Sequence, residues 1–425
     1  MLDIRFIREN PDLVKENMKK KFREDTHIVD EVLKKDEGYR ALLQEAEKLR
    51  HERNQVTQKI SETKKAGGDI TDLLQQAKDI PQKIKETEEK QNALKKEITD
   101  TLKKIPNIIR ESVPIGKDDK ENVELKRFLE PTKKPFPVKS HVEICEALGI
   151  ADFDASARVA GNGFFYLMGD LALLNQAILR FGIDFMMKRG FTFAEPPLMV
   201  RKKVCDGMVD FNFFQEIIYK IEDEDLYLIP TSEFPLITIY MDQVVDEKDL
   251  PVKLCGYSQC FRKEIGAHGI DEKGLYRTHQ FNKVEQVVIC RPEESDKMYE
   301  EMLQHSVDLF TELGLPTRIL ESCSGDLGDL KAKGADLEAW SPRKEEYFET
   351  CSVSNLTDNQ SRRLNIKIDN GKERYLPHTL NNTVIATSRA MVAILENYQN
   401  EDGTITIPDV LAPYMNNKAK IESQK

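Results

Sequence analysis

The sequence predicts an α+β protein in two parts: an N-terminal antiparallel coiled-coil hairpin, then a domain built on a mostly antiparallel sheet flanked by helices. Three observations carry that expectation. Apolar residues between positions 42 and 105 recur at alternating spacings of four and three on either side of a Gly-Gly turn, the pattern of two heptad helices folded back on each other. Beyond about residue 141, short β-like runs mix with amphipathic helices and no βαβ unit repeats, which favours an antiparallel sheet over a doubly wound parallel one. Neither GxGxxG nor GxxxxGK[ST] occurs, so both phosphate-binding signatures of the parallel-sheet folds are missing.

Composition bounds the class. The chain has 425 residues, 40% hydrophobic and 32% charged, with 21 Gly and 18 Pro. That excludes collagen, low-complexity disorder and a disulfide miniprotein, and the length suits two or three domains. No apolar run approaches the roughly 18 residues needed to cross a bilayer. The opening Met1-Leu-Asp-Ile-Arg-Phe-Ile-Arg-Glu-Asn mixes both charge signs without an apolar core, unlike a secretory signal. Seven scattered Cys with no CxxC pair read as reduced thiols of a cytoplasmic protein, with no zinc site expected. Net charge is −11, yet residues 1–104 carry 24 basic and 22 acidic side chains, so the acidity belongs to the remainder. An acidic protein binds nucleic acid if its cations gather on one element, and this split permits such an element at the N-terminus.

The hairpin is expected over about 26–105. Its ascending seam is Leu42, Ala46, Leu49, Arg53, Val56 and Ile60; its turn is Ala66-Gly67-Gly68-Asp69; its descending seam runs from Leu73, Ala77, Ile80 and Ile84 through Thr87, Gln91 and Leu94 to Ile98, Thr101 and Ile105. Arg53, Thr87 and Gln91 weaken the seam, and Pro81 should kink the second helix. A long coiled coil is often a dimerisation stalk. Here both strands come from one chain, which leaves the outer face free for a partner. Residues 1–110 thus read as an N-terminal domain, the Pro- and Lys-rich 111–140 as a linker, and 141–425 as a globular domain. In that domain Leu226–Ile229, Val284–Cys290 and Tyr347–Ser352 read as strands, and Leu171–Lys188, Glu293–Gly314 and Thr387–Tyr398 as helices.

The densest chemistry is Cys260-Phe-Arg-Lys-Glu-Ile-Gly-Ala-His-Gly followed by Gly274-Leu-Tyr-Arg-Thr-His-Gln-Phe-Asn-Lys-Val-Glu285. A strand through 262–264 would put Arg262 and Glu264 on one face, because the strand period is two. The Arg262 fork can bridge a carboxylate and a phosphate oxygen, and Glu264 can accept from an exocyclic amine. The Gly-rich 265–274 reads as a mobile turn. The returning strand brings Phe281 and Glu285 to a shared face, and an aromatic plate beside an Arg suits an adenine ring. A lone Arg-x-Glu is more often a surface ion pair; the whole paired string is hard to explain as surface.

This string resembles motif 2 (about 258–290) of a class II aminoacyl-tRNA synthetase, specifically the seryl-tRNA synthetase family, and the resemblance runs nearly the full length. The opening residues, the hairpin, Asn122-Val-Glu-Leu and Gly161-Asn-Gly-Phe-Phe-Tyr-Leu-Met-Gly-Asp are similar to that family. Gly190-Phe-Thr-Phe-Ala-Glu-Pro-Pro-Leu resembles motif 1 (about 189–200), and Leu380-Asn-Asn-Thr-Val-Ile-Ala-Thr-Ser-Arg resembles motif 3 (about 378–399). The resemblance implies a class II catalytic domain that activates L-serine with ATP and Mg²⁺ and loads it on tRNA(Ser), by analogy also tRNA(Sec). It implies a homodimer through motif 1 and no membrane partner.

Carried over residue by residue, Thr231, Ser232 and Glu233 match the loop that cradles serine, Glu233 meeting its ammonium. Glu285 would hold the ammonium or hydroxyl of serine, and Thr383 would contact the hydroxyl. Arg262 and Arg389 are the catalytic pair on the phosphates. Lys263 and Glu264 stand in the ATP-binding string, Thr278 where the backbone touches ATP, and Phe281 with Arg389 would sandwich the adenine. Glu349, Thr350, Cys351 and Ser352 match the ATP strand, with Glu349 and Ser352 as Mg²⁺ contacts. The hairpin resembles the family's tRNA arm, where Arg53, Lys59, Lys64 and Lys65 are candidates for the RNA backbone.

Departures and plainer readings stand beside these. Asn382-Thr383 replaces the Gly-Ser of most relatives, and Glu-Thr-Cys-Ser-Val-Ser (349–354) differs from the Ser-richer bacterial string; the motif 3 text is closer to the archaeal or eukaryotic branch. Glu233 could simply cap a helix. His268 and His279 read as solvated loop side chains. Cys255, Cys260 and Cys290 have no zinc spacing and read as buried thiols. Two rivals remain, an inactive relative serving as an adaptor and a ligase loading a carrier protein. The intact acidic and Arg residues weigh against the first, the long arm against the second.

Overall fold

The computed structural model describes residues 1–209, 216–264 and 273–423. Two units divide the chain, Met1–Pro106 and Asn107–Lys425.

The first unit opens with two short helices, α1 (Ile4–Glu9) and α2 (Pro11–Lys20). The Asp3 side chain accepts from the Arg5 backbone N–H and starts α1. Then come α3 (Ile28–Lys65) and α4 (Thr71–Leu102), the expected hairpin. At about 1.5 Å per residue, α3 is about 57 Å long. Gly67, at φ +71°, turns the chain, and the Asp69 carboxylate accepts from both the backbone N–H and hydroxyl of Thr71 as α4 begins. Ala46 and Val56 of α3 and Ile80, Ile84 and Ile98 of α4 are buried in the seam. Two of its polar positions are satisfied. The Thr87 hydroxyl donates to Lys83 O, and the Gln91 amide crosses the hairpin to Leu42 O at 2.8 Å. Arg53 instead points to solvent, and α4 runs unbroken across Pro81.

The second unit is organised by an eight-stranded sheet. Its strands, labelled in chain order, are β1 (Val123–Phe128), β2 (Thr192–Ala194), β3 (Val252–Phe261), β4 (Gln280–Cys290), β5 (Thr317–Glu321), β6 (Lys333–Ser341), β7 (Glu346–Asn355) and β8 (His378–Ala386). They lie in the order β1-β5-β6-β7-β8-β4-β3-β2, and every pairing is antiparallel except β2 with β3. The stretch 111–140 differs from the linker reading: it contributes β1, an edge strand paired with β5. Asn107 already belongs to this unit, its side-chain amide donating to Leu330 O, Leu356 O and the Thr357 hydroxyl.

Among the described residues five helices frame the sheet: α5 (Gly169–Lys188), α6 (Glu233–Thr238), α7 (Ser295–Glu312), α8 (Asn359–Leu364) and α9 (Thr387–Asn397). Helices α5, α7 and α9 cover one face, where Leu174, Ile178, Phe310, Met391 and Ile394 are fully buried. Side chains alternate across a strand. Val284, Val288 and Cys290 of β4 therefore join that core, while Phe281, Lys283, Glu285 and Val287 face the other way. There α6 and α8 flank an open stretch of sheet. Two pairing irregularities fall beside it, one between Thr383 and Ile385 against β4, the other between Leu337 and Glu338 against β7. Bulges of this kind re-aim side chains next to active sites. All seven cysteines are free and buried. Among the described residues no helix is long and apolar enough to cross a membrane.

Candidate active site

The open face holds a cavity of about 880 Å³ with a second, smaller recess adjoining it. Arg262, Glu264, Arg277, Lys283, Glu349 and Thr383 line both.

One end is acidic. Glu233, the first residue of α6, accepts at Oε1 from the Gln360 amide of α8 (2.7 Å) and the Asn381 amide of β8 (2.8 Å). Thr379 in turn holds Gln360, its hydroxyl donating to Gln360 Oε1. Burial pushes the Glu233 carboxyl up to about 7, further raised by Glu285 and partly offset by the Gln360 bond and by Lys283 and Lys331. Glu285, on β4 opposite Thr383, is 1% exposed; its Oε2 accepts from the Thr383 hydroxyl at 3.3 Å and forms an ion pair with Lys283. Lys283 also donates to the Thr231 hydroxyl at 2.7 Å. The helix-capping reading of Glu233 does not hold, because its side chain caps nothing and is committed to two amides from other elements.

The other end is cationic and aromatic. The Arg262 guanidinium lies 5.3 Å from the Phe281 ring centroid and donates through Nε to Pro230 O. Arg389, on the first turn of α9, lies 5.3 Å from the Tyr276 centroid, donates to Glu349 O at 2.8 Å and pairs with the Glu349 carboxylate at 3.2 Å. Arg277 reaches Glu264 at 3.8 Å. The Thr278 hydroxyl is buried and, among the described residues, has no hydrogen-bond partner. Two cations, two aromatic plates and an unpaired hydroxyl suit a purine nucleotide triphosphate.

A third cluster joins the two ends. Asp336 of β6 stands opposite Ser352 of β7, and Glu349 is opposite Glu338. Burial, then the charge of Glu349, push the Asp336 carboxyl up to about 6. Lys331 donates to the Ser352 hydroxyl at 3.4 Å. Among the described residues no group of three or more His, Cys, Asp or Glu is placed to hold a metal ion.

The structure therefore gathers Thr231, Glu233, Arg262, Glu264, Thr278, Phe281, Glu285, Glu349, Thr350, Ser352, Thr383 and Arg389 around one cleft. Others differ. Ser232 is buried off the lining, its hydroxyl donating to Gly256 O. Lys263 lines neither recess; its backbone N–H donates to Ile217 O. The Cys351 thiol belongs to the core on the helix side, so only the backbone of that residue is open to a nucleotide. Asn382 also turns to the helices, donating to Met302 O and the Ser306 hydroxyl of α7, so its departure from the family text leaves the pocket untouched.

The strand argument for Arg262 and Glu264 is corrected. β3 ends at Phe261, and Glu264 has φ +46°, so loop geometry and not strand alternation brings both to the cleft. His279 is no solvated side chain: it stacks on Phe164 at 5.1 Å, and its Nδ1 lies 2.9 Å from both Arg262 O and the Tyr219 hydroxyl. Most of the turn 265–274, with His268, lies outside the described residues. In the first unit Arg53, Lys59, Lys64 and Lys65 are exposed. Sequence reasoning missed Tyr276, Arg277, Lys283, Lys331, Asp336, Gln360 and Asn381. For Lys283 the signal was present, since it alternates in step with Phe281 and Glu285.

Comparison with known proteins places this geometry. Residues 1–109 match the family described as Seryl-tRNA synthetase N-terminal domain, and residues 218–398 match the tRNA synthetase class II core domain (G, H, P, S and T). A serine–tRNA ligase from Methanocella arvoryzae is 48% identical over 98% of this chain and 99% of its own. The crystal structure of seryl-tRNA synthetase from Pyrococcus horikoshii complexed with ATP superposes with a TM-score of 0.94 at 43% identity, covering all of both chains. That of the cytoplasmic enzyme from Naegleria fowleri with AMP gives 0.89 at 34% identity, over 100% of this chain and 99% of that one. On this likeness across its whole length, the chain belongs to the seryl-tRNA synthetase family of class II aminoacyl-tRNA synthetases.

Proposed function

We propose that the chain ligates L-serine to tRNA(Ser) at the expense of ATP. The observation that carries this is one cleft with two carboxylates and a threonine hydroxyl at one end and an Arg-aromatic clamp at the other. In the first step a serine carboxylate oxygen attacks the α-phosphorus of ATP, the bond to the β-phosphate oxygen breaks, and pyrophosphate leaves. The nucleophile is already anionic, so no general base is needed. Catalysis consists of alignment and charge neutralisation. Arg262 grips the serine carboxylate and α-phosphate, and Phe281 and Arg389, with Tyr276 beside them, clasp the adenine. Glu233 takes the ammonium, and Glu285 and Thr383 face the side chain. In the second step the terminal ribose hydroxyl of tRNA attacks the acyl carbon and AMP leaves.

Mg²⁺ fits the oxygen-only set of Glu349, Ser352 and Asp336, whose crowded carboxylates a divalent cation would relieve. Bound with ATP, it would neutralise phosphate charge. The α3–α4 hairpin takes the tRNA, with Arg53, Lys59, Lys64 and Lys65 as backbone contacts, and by analogy tRNA(Sec) is charged too. A homodimer through motif 1 is supported by the exposed Met187, Leu198 and Met199 in and beside it. Seven free thiols suit the cytoplasm. ATP–pyrophosphate exchange across the twenty amino acids tests the reading: serine alone should support rapid exchange, and equal or better exchange with another amino acid would overturn it.

A further inference from the structure

The serine end contains a cation that an ammonium-binding pocket does not obviously need. Lys283 is 5% exposed, on the same face of β4 as Glu285. Its neighbours across the sheet are small, Ser258 on β3 and Ala386 on β8, which leaves room for its long stem along the sheet. Its ammonium carries three hydrogens. One goes to Thr231 and one to Glu285 Oε2, the atom that Thr383 also addresses. Glu233 is different: no Lys or Arg among the described residues pairs with it, and its Oε1 meets two neutral amides. The two carboxylates are thus unequal. Glu285 has an ammonium against it, and Glu233 has only the two amides.

We propose that Lys283 is a specificity-determining residue of this site: by neutralising Glu285 it reserves that carboxylate for the substrate hydroxyl and leaves Glu233 to bind the ammonium. A substrate ammonium placed on Glu285 would lie beside the like charge of Lys283; a neutral hydroxyl meets no such repulsion. Lys283 acts through Glu285 and Thr231 as a positioning residue. Ion-paired with Lys283, the buried Glu285 Oε2 is an acceptor that alanine leaves without the substrate hydroxyl. The inference deepens the serine-activation reading and rests on it.

The test is pyrophosphate exchange with serine and with alanine, using the wild type, Lys283→Met, Glu285→Gln and the double variant in the full chain. Thermal melting and calorimetric ATP binding report the fold. Lys283→Met should lower kcat/KM for serine about 100-fold and lower alanine far less, so a discrimination of about 10⁴ shrinks at least tenfold. ATP affinity should stay within twofold. The double variant, in which no charge is left unpaired, should be no worse with serine than Glu285→Gln alone. Equal losses for serine and alanine, a parallel loss of ATP binding, or additive effects in the double variant would overturn the proposal. Wild-type protein inert toward serine would instead overturn the underlying reading.

Discussion

Serine recognition should depend on pH through Glu233, whose carboxyl is lifted to about 7. Burial is the main cause, and the Gln360 amide on Oε1 only partly offsets it. A serine ammonium interacts with the carboxylate and not with the acid, so binding lowers the pKa and expels a proton. The sign follows. Affinity is full above about 7 and is lost as pH falls through that value. At pH 6 about one tenth of Glu233 is ionised and at pH 5 about one hundredth, so the serine KM should rise about tenfold and about 100-fold. Near pH 7, calorimetry in buffers of different ionisation enthalpy should register release of about half a proton per serine bound. The assay is serine KM by pyrophosphate exchange from pH 5.5 to 8.5, with KM for ATP followed in parallel. A serine KM that stays flat between pH 6 and 8, or one that moves only together with the ATP value, would refute the assignment of Glu233 as a half-ionised ammonium site.

Other perturbations separate the parts of the molecule. Removing the outer hairpin, roughly Arg53–Lys83, should leave serine-dependent exchange within a few-fold and abolish tRNA charging; equal loss of both would contradict the division of labour. Arg262→Ala should depress exchange about 10³-fold, about 4 kcal/mol of lost charge stabilisation, as judged by initial rates. Asn381→Ala strips one donor from Glu233 and should raise the serine KM while sparing that for ATP, which the same assay reads. Ile84→Ala, in the buried seam of the hairpin, should cost about 2–4 kcal/mol in the arm, measured by local hydrogen exchange, without changing pyrophosphate exchange.

How legible the site was depended on the distance over which each feature is built. The hairpin was readable because a four-three repeat and a Gly-Gly turn are local. The structure keeps both, with Gln91 satisfied by a cross-helix bond at 2.8 Å to Leu42 O. Phe281 and Glu285 were paired by strand alternation alone, and β4 obeys it. The same rule failed four residues short of the turn, where β3 stops at Phe261 and Glu264 enters a left-handed conformation that no periodicity announces. The Pro- and Lys-rich look of 111–140 hid β1, an edge strand exposed along most of its length whose short Val-Glu-Leu-Lys alternation breaks at Arg127.

By itself the sequence determined the class of the fold, the existence and course of the arm, the motif residues that line the cleft, and the family. These follow from short-range regularities and from ordered strings of residues. Only the tertiary structure decided what each acidic group is there. Glu233 meets its two amides from positions 127 and 148 residues further along the chain. Asp336 faces Ser352 across a pair of strands. His279 is pulled from solvent by Phe164 and Tyr219. The reason is physical. The state of a buried polar group depends on which partners replace the water it has lost, and those partners come from wherever the chain returns, not from its neighbours in sequence.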